Sequence, residues 1–460
     1  MNSLHCSNAI TFPSRRRFLQ QTGLGIGGLA LACLLKETAT AAGAAEITSL
    51  AARQPPLSAK AKHVIHIFAG GAPSHLDTFD PKPGLEKFRD QSLPGDSGVA
   101  FPSPFKFPKC GRSGLEISDI FPKLGTVADE LCVIRSMFTD VPAHGAASKL
   151  LHTGSITLTR PSLGAWTLYG LGSENASLPG FITLGGSTEW RQAAFLPSLF
   201  QGAKADFAAN RPPDKVLLNL RNEFTSREQQ RMQLDLLHKL DEAHMERTSH
   251  DEQLEARIDS FELAFRMQSE APEAFDLTKE TQETRDRYGK GDLGAKLLCA
   301  RRLVERGVRF VQIDAGGWDH HQNLAAAITR SAQSVDQAAA ALIADLKSRG
   351  LLESTLVIWG GEFGRTATTA GKVGADSGRD HHAKCFSLWM AGGGVKGGMA
   401  YGSTDELGQE IVQDGVHIHD LHATILRLLG FDHTKLTYRY NGRDFRLTDN
   451  FGKIVEPIIA

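Results

Sequence analysis

Residues 300–323 read ARRLVERGVRFVQIDAGGWDHHQN. A helical pattern (AKLLCARRLVERG, from Ala295) ends at Gly307, and a short apolar run, VRFVQI, follows as a buried strand. The chain then breaks into glycines and a knot of His and Asp. The same order recurs outward along the sequence. HVIHIF from His63 reads as a first strand, SVDQAAAALIADLKSRGLL from Ser334 as a helix and STLVIWG from Ser354 as a strand. KCFSLWMAG from Lys384 is another strand, and HDLHATILRLLG from His419 a closing helix. Further upstream, ISDIFPKLGTVADELCVIRSM from Ile117 reads as a helix entering a strand, and HGAASKLLHTG from His144 as a helix stopped by Gly154. Strands alternating with helices predict an α/β fold, a doubly wound, mostly parallel sheet with helices on both faces. From about 226 to 287 a charge-rich stretch with apolar residues three and four apart predicts a helical insertion.

In such sheets ligands gather beyond the carboxyl ends of the strands, and the chemistry-bearing residues cluster there. FAGGAPSHLDTFDPKPG places His75 and Asp77 after the first strand, and DAGGWDHHQN supplies Asp319 and His321. GEFGRT supplies Glu362 and Arg365, and SGRDHHAK brings Arg379, His381 and His382 just before a further strand. Mixed imidazole and carboxylate sets suit zinc or manganese, and oxygen-rich subsets suit calcium, so one or two divalent ions are expected. Such ions polarise phosphoryl or sulfuryl oxygens, and the forked guanidinium groups of Arg365 and Arg379 are shaped to orient such an anion or to form structural ion pairs.

Other classes fall away. The 460 residues carry a formal net charge of -1 with no concentrated basic surface pattern beyond the N-terminus, so nucleic acid is not an expected partner. The G-x-G-x-x-G of GGGVKGG (Gly392–Gly397) is followed by no helix to receive a pyrophosphate. Ser74 and Ser148 lack a G-x-S-x-G elbow. No two cysteines form a CxxC pair.

The N-terminus reads SRRRFLQ, then the uncharged run TGLGIGGLALACLL, then TATAAGAA. Arg15 and Arg16 before Phe18 and Leu19 resemble a twin-arginine export signal over residues 1–45, cleaved near Ala41 or Ala44. The apolar run is shorter than the ~20 residues of a membrane span, so no stable span is expected after cleavage. The twin-arginine machinery is then a partner, and the mature protein, residues 46–460, is expected in the periplasm or outside the cell.

GGAPSHLDTFDPKPG, HGAASKLLHTG, ARRLVERGVRFVQI, GGWDHH, GEFGRT and NGRDF, spread over about Lys62 to Asp444, resemble as a set the exported, sulfatase-like domain-of-unknown-function family numbered 1501. Their order resembles the alkaline phosphatase superfamily more widely. That resemblance implies an alkaline-phosphatase-like fold and hydrolysis of a phosphate or sulfate ester, with sulfated or phosphorylated glycans among the anionic substrates. It implies Asp319 and His321 as ligands of one metal, with His381 or His382 in the place of a late metal-binding His. Glu362 and Phe363 stand where the superfamily has Asp and His. No carboxylate follows the first strand directly, so His75 and Asp77 are the substitutes there. Sulfatases place a Cys or Ser, in C/S-x-P-x-R, ten residues before a Thr-Gly pair. Here the pair is Thr153-Gly154, and His144 takes the nucleophile's place, as nucleophile, as ligand, or as a residue of a site that has lost activity. The alternative is a non-catalytic, metal-stabilised binding or envelope protein that kept the fold.

Overall fold

The computed structural model describes residues 50–460 except 96, 219, 221–223 and 246–251, so the export signal lies outside the described residues. The central sheet has nine strands: β1 (His63–Phe68), β2 (Leu131–Phe138), β3 (Phe181–Leu184), β4 (Ala203–Ala205), β5 (Phe310–Asp314), β6 (Thr355–Gly360), β7 (Phe386–Ala391), β8 (Met399–Tyr401) and β9 (Val416–His417). Their order is β8-β2-β7-β6-β1-β5-β3-β4, with β9 also pairing β2. Every neighbouring pair is parallel except those made by β7, which runs against both β6 and β2.

The period-two alternation of β1 explains the two covering layers. Ile65 and Ile67 face a core shared with Leu298 and Leu342, from helices α6 (Asp292–Glu305) and α7 (Leu324–Ser348). On the other face, His66 and Phe68 meet His152 of α1 (His144–Thr153). Gly154 stops α1 in the left-handed region (φ 67), as its sequence predicts. Helix α2 (Leu163–Leu171) is buried throughout, and α8 (Ile418–Leu428) starts with a His417–Asp420 capping box.

Three differences from the sequence reading have physical causes. α7 begins at Leu324, ten residues before the predicted start, because the intervening LAAAITRSAQ is itself rich in helix formers. The helix expected before β2 is only a 3₁₀ turn, Leu124–Glu130, whose first amides are bonded by the buried Asp336 carboxylate. The short strands β3 and β4 were not legible in their Gly- and Pro-rich surroundings. The region 226–287 holds α3 (Arg227–Met245), α4 (Glu252–Phe275) and most of α5 (Gln282–Tyr288). Among the described residues, no helix is long and apolar enough to cross a membrane, and Cys110, Cys132, Cys299 and Cys385 are free thiols.

Candidate metal centre

The reversed direction of β7 matters for the site. Its N-terminal end lies at the edge where β1, β2, β5 and β6 end, since Phe386 pairs with Met137 near the end of β2. The His381-His382 pair before β7 therefore arrives beside the loops that leave the parallel strands, held by a two-residue ladder to Gly364-Arg365.

Trp318 sets the centre of that edge. Its ring is buried edge-on against Trp359 at 5.3 Å, and its indole N–H donates to the Ala315 carbonyl at 3.0 Å. With Trp318 anchored, Asp319 is left at the rim of the core. Two glycines let neighbouring backbones close on this loop. Gly71 (φ +100) lies where a Cβ would come within 2.7 Å of the Asp319 backbone nitrogen, and a Cβ on Gly378 would come within 2.0 Å of the His321 carbonyl carbon.

Four side-chain atoms converge there. Asp319 Oδ1 lies 3.3 Å from His144 Nε2, 2.9 Å from His321 Nε2 and 3.4 Å from His381 Nε2. The two nitrogens Nε2 of His321 and His381 are 3.0 Å apart. Ligands at about 2.0 Å around a tetrahedral ion stand about 3.3 Å from one another, so these spacings bracket that of a zinc-type site. His144, Asp319 and His381 form a potential metal-binding group, while His321, close to Asp319 and His381, is not within that common reach.

The outer partners fix the imidazole tautomers. His144 Nδ1 donates to Glu362 Oε1 at 2.6 Å, His321 Nδ1 to Asp380 Oδ1 at 2.9 Å and His381 Nδ1 to the Pro142 carbonyl at 2.9 Å. Acceptors that carry no hydrogen place the proton on Nδ1, leaving a lone pair on each Nε2. Two lone pairs facing each other at 3.0 Å need a cation or a shared proton between them. His144 Nε2 and Glu362 Oε2 are buried without a hydrogen-bond partner. The carboxylates of Asp319, Glu362 and Asp380, against the single guanidinium of Arg365, leave an excess of two negative charges when the imidazoles are neutral. Donor set, spacing and charge all fit one divalent ion.

The electrostatics follow the contacts. The Glu362 hydrogen bond raises the pKa of His144 above the usual range. Burial raises that of Asp319, but the hydrogen bond and charge of Arg365 outweigh it and hold the carboxyl far below the ordinary range. Burial lowers that of His381. Arg365 is itself buried. It donates to the carbonyls of Ala72, Gly71 and Arg379 and to Asp319 Oδ1 at 2.5 Å, with one N–H facing His321. Every arm of the fork is engaged, so Arg365 positions Asp319 and the strained Ala72 (φ 62) turn rather than offering an anion clamp.

The other expected residues are turned elsewhere. His75 and Asp77 sit in a fully buried helical turn, His75–Thr78. His75 Nε2 meets the Gly408 carbonyl at 3.0 Å. Asp77 receives a two-point hydrogen bond from Arg379 at 2.7 and 3.2 Å, and the Ser74 hydroxyl at 2.5 Å. Arg379 is thus the partner of a buried structural ion pair, and Asp77 is no ligand in this arrangement. His382 Nε2 donates to the Gln409 carbonyl at 2.7 Å, so the adjacent histidines divide, His381 toward the cluster and His382 away. Glu362 orients His144 rather than joining the inner group. The Pro142 carbonyl was missed from sequence, and Asp380, visible in SGRDHHAK, was not read as the partner of an imidazole. The carboxylate next to His381 in RDHH was the available signal for Asp380, and none existed for Pro142. Phe363 packs wholly buried against both His144 and His381, with ring centroids 4.7 Å from each.

Solved structures similar to this chain include the PsFucS1 sulfatase from Pseudoalteromonas sp., with TM-score 0.34 and 15% identity over 82% of this chain and 68% of that one. The alkaline phosphatase of the Antarctic bacterium TAB5 has TM-score 0.33 and 12% identity over 82% and 99% of the two chains. The lipoteichoic acid synthase LtaP from Listeria monocytogenes has TM-score 0.35 and 10% identity over 85% and 78%. A comparison with curated protein sequences finds no match. A family model described as protein of unknown function, DUF1501, matches residues 61–459, and the chain belongs to that family.

Proposed function

We propose that Asp319, His144, His321 and His381 hold one divalent ion, and that the protein is a metal-dependent hydrolase of phosphate or sulfate esters. The observation that carries this reading is the common orientation of the three imidazoles. Each gives its Nδ1 proton to a separate acceptor and turns Nε2 toward one oxygen of Asp319. Three nitrogens and one oxygen favour zinc over calcium, which takes six to eight oxygens. A bound ion of this kind supplies Lewis acidity toward an ester oxygen. The chain supplies the rest. Glu362, Asp380 and Pro142 orient the imidazoles, and Arg365 holds Asp319. The partly exposed side chains of Asp319, His144, His321 and His381 leave the centre open to a solvent-borne anion such as a sulfated or phosphorylated glycan. A purely structural ion is usually enclosed, so this openness favours chemistry. The arginine pair at residues 15 and 16 supports export of the folded protein by the twin-arginine route.

One observation favours the rival reading of a metal-stabilised binding protein: both expected anion clamps, Arg365 and Arg379, are already engaged inside the protein. Elemental analysis of the purified protein, beside a panel of aryl phosphate, phosphodiester and sulfate substrates, separates the cases. Stoichiometric zinc with turnover abolished in Asp319→Ala supports the enzyme. Bound zinc without turnover, together with tight binding of an anionic glycan, supports the rival. A metal-free protein indifferent to added zinc or manganese ends both.

A further inference from the structure

Helix α3 packs one face on its neighbour and carries a separate apolar row on the opposite face. The packed face meets α4 through Leu234, with Gln268 donating to Gln230 at 2.7 Å and Arg231 and His238 both bonded to Glu262. The opposite face carries Met232, Leu236 and Leu240, spaced four apart and therefore on one stripe. They are 62%, 57% and 58% exposed. Contiguous exposed apolar rows mark interaction surfaces.

The charges beside the stripe identify what covers it. Asp235 and Lys239 flank the same side of the row, one on each side of the level of Leu236. Lys239 has no ion-pair partner among the described residues, while Asp235 shares only Arg231, at 2.8 Å. We propose that α3 pairs antiparallel with α3 of a second copy of this chain, about a twofold axis beside Leu236. That symmetry sets Leu236 against Leu236 of the partner subunit and Met232 against the partner's Leu240. It also brings Asp235 to the partner's Lys239, on the same side of the contact, and the reverse pair follows by symmetry. A twofold parallel pairing would instead put Asp235 and the partner's Lys239 on opposite sides of the contact, with no cross-pair between them. One helix face is smaller than a standard interface, so the dimer is weak and concentration-dependent.

Sedimentation equilibrium of the purified chain tests this. The wild type is expected to dimerise in the range of tens of micromolar. Leu236→Asp, at an exposed site that leaves the fold intact by circular dichroism, is expected to weaken association more than about tenfold by burying a charge. Lys239→Asp sets like charges together and is expected to weaken it about threefold, with Asp235→Lys/Lys239→Asp returning it near the wild type. A wild type that stays monomeric at about 200 µM, a dimer indifferent to Leu236→Asp, or a double variant no better than the single one overturns the proposal. Monomeric binding of the stripe to phosphatidylglycerol vesicles, lost in Leu236→Asp, overturns it as well.

Discussion

Glu362 and His144 stand 218 positions apart in the chain, yet Oε1 of the first accepts a 2.6 Å hydrogen bond from Nδ1 of the second. Glu362 also receives the Gly71 amide at 3.0 Å on the same oxygen. The carboxylate therefore ties the loop after β1 and the loop after β6 to the first residue of α1. Replacing Glu362 by Gln keeps the size and removes the charge. Zinc affinity is expected to fall about 10–100-fold, with unfolding of the metal-free protein little changed, as measured by competition with a chromogenic chelator.

Asp319→Ala is expected to abolish stoichiometric metal binding, because the three imidazoles are grouped around its Oδ1. It should also lower the stability of the metal-free protein, since the buried Arg365 guanidinium loses its carboxylate. Asp319→Asn isolates the charge. Metal content by mass spectrometry and urea midpoints without metal read the two effects separately.

Chelation of the wild type is expected to lower its thermal midpoint, and zinc returned at about a hundred times its Kd should restore about 2.7 kcal/mol. Calcium should restore far less. Calorimetry with each metal checks this.

Asp77→Asn should destabilise the protein by about 3–5 kcal/mol without changing its metal content, because it leaves Arg379 buried against a neutral group. Burial raises the pKa of Asp77, but the charge and hydrogen bonds of Arg379 and the Ser74 hydroxyl outweigh it and hold the carboxyl below the usual range. A depressed folded pKa gives stability that is present above the unfolded value of about 4 and is lost as pH falls below it. Urea midpoints of wild type and variant should therefore converge in acid.

Gly378→Ala places a methyl group within 2.0 Å of the His321 carbonyl carbon. The loop carrying His321 must move, and zinc affinity is expected to drop at least about tenfold while the sheet persists by circular dichroism.

The strands were legible where a short apolar run met a glycine break, as at Phe68, Asp314 and Gly360. The residues following those breaks could be placed at one edge of one sheet for the same reason. Direction within a loop was not legible. His381 and His382 are neighbours of one type, and only the ladder with Gly364-Arg365 decides which faces the cluster. Asp77 looked like a ligand because its partner, Arg379, lies 302 residues away, and nothing local reveals a pair made at that distance. Asp380 had the reverse problem. It stands beside a candidate ligand, His381, but serves another histidine across the site.

The antiparallel course of β7 has a kinetic consequence. His381 reaches the cluster only after β7 has inserted between β2 and β6, two strands that are far apart in sequence. The residues of the centre therefore come together only once pairings of high sequence separation, β1 with β6 and β2 with β7, have formed. An ion bound by such a late-forming group stabilises the native state far more than the folding transition state. It should slow unfolding strongly and leave refolding almost unchanged. On the proposed route of export after folding, the loaded centre would act as a latch on the finished sheet.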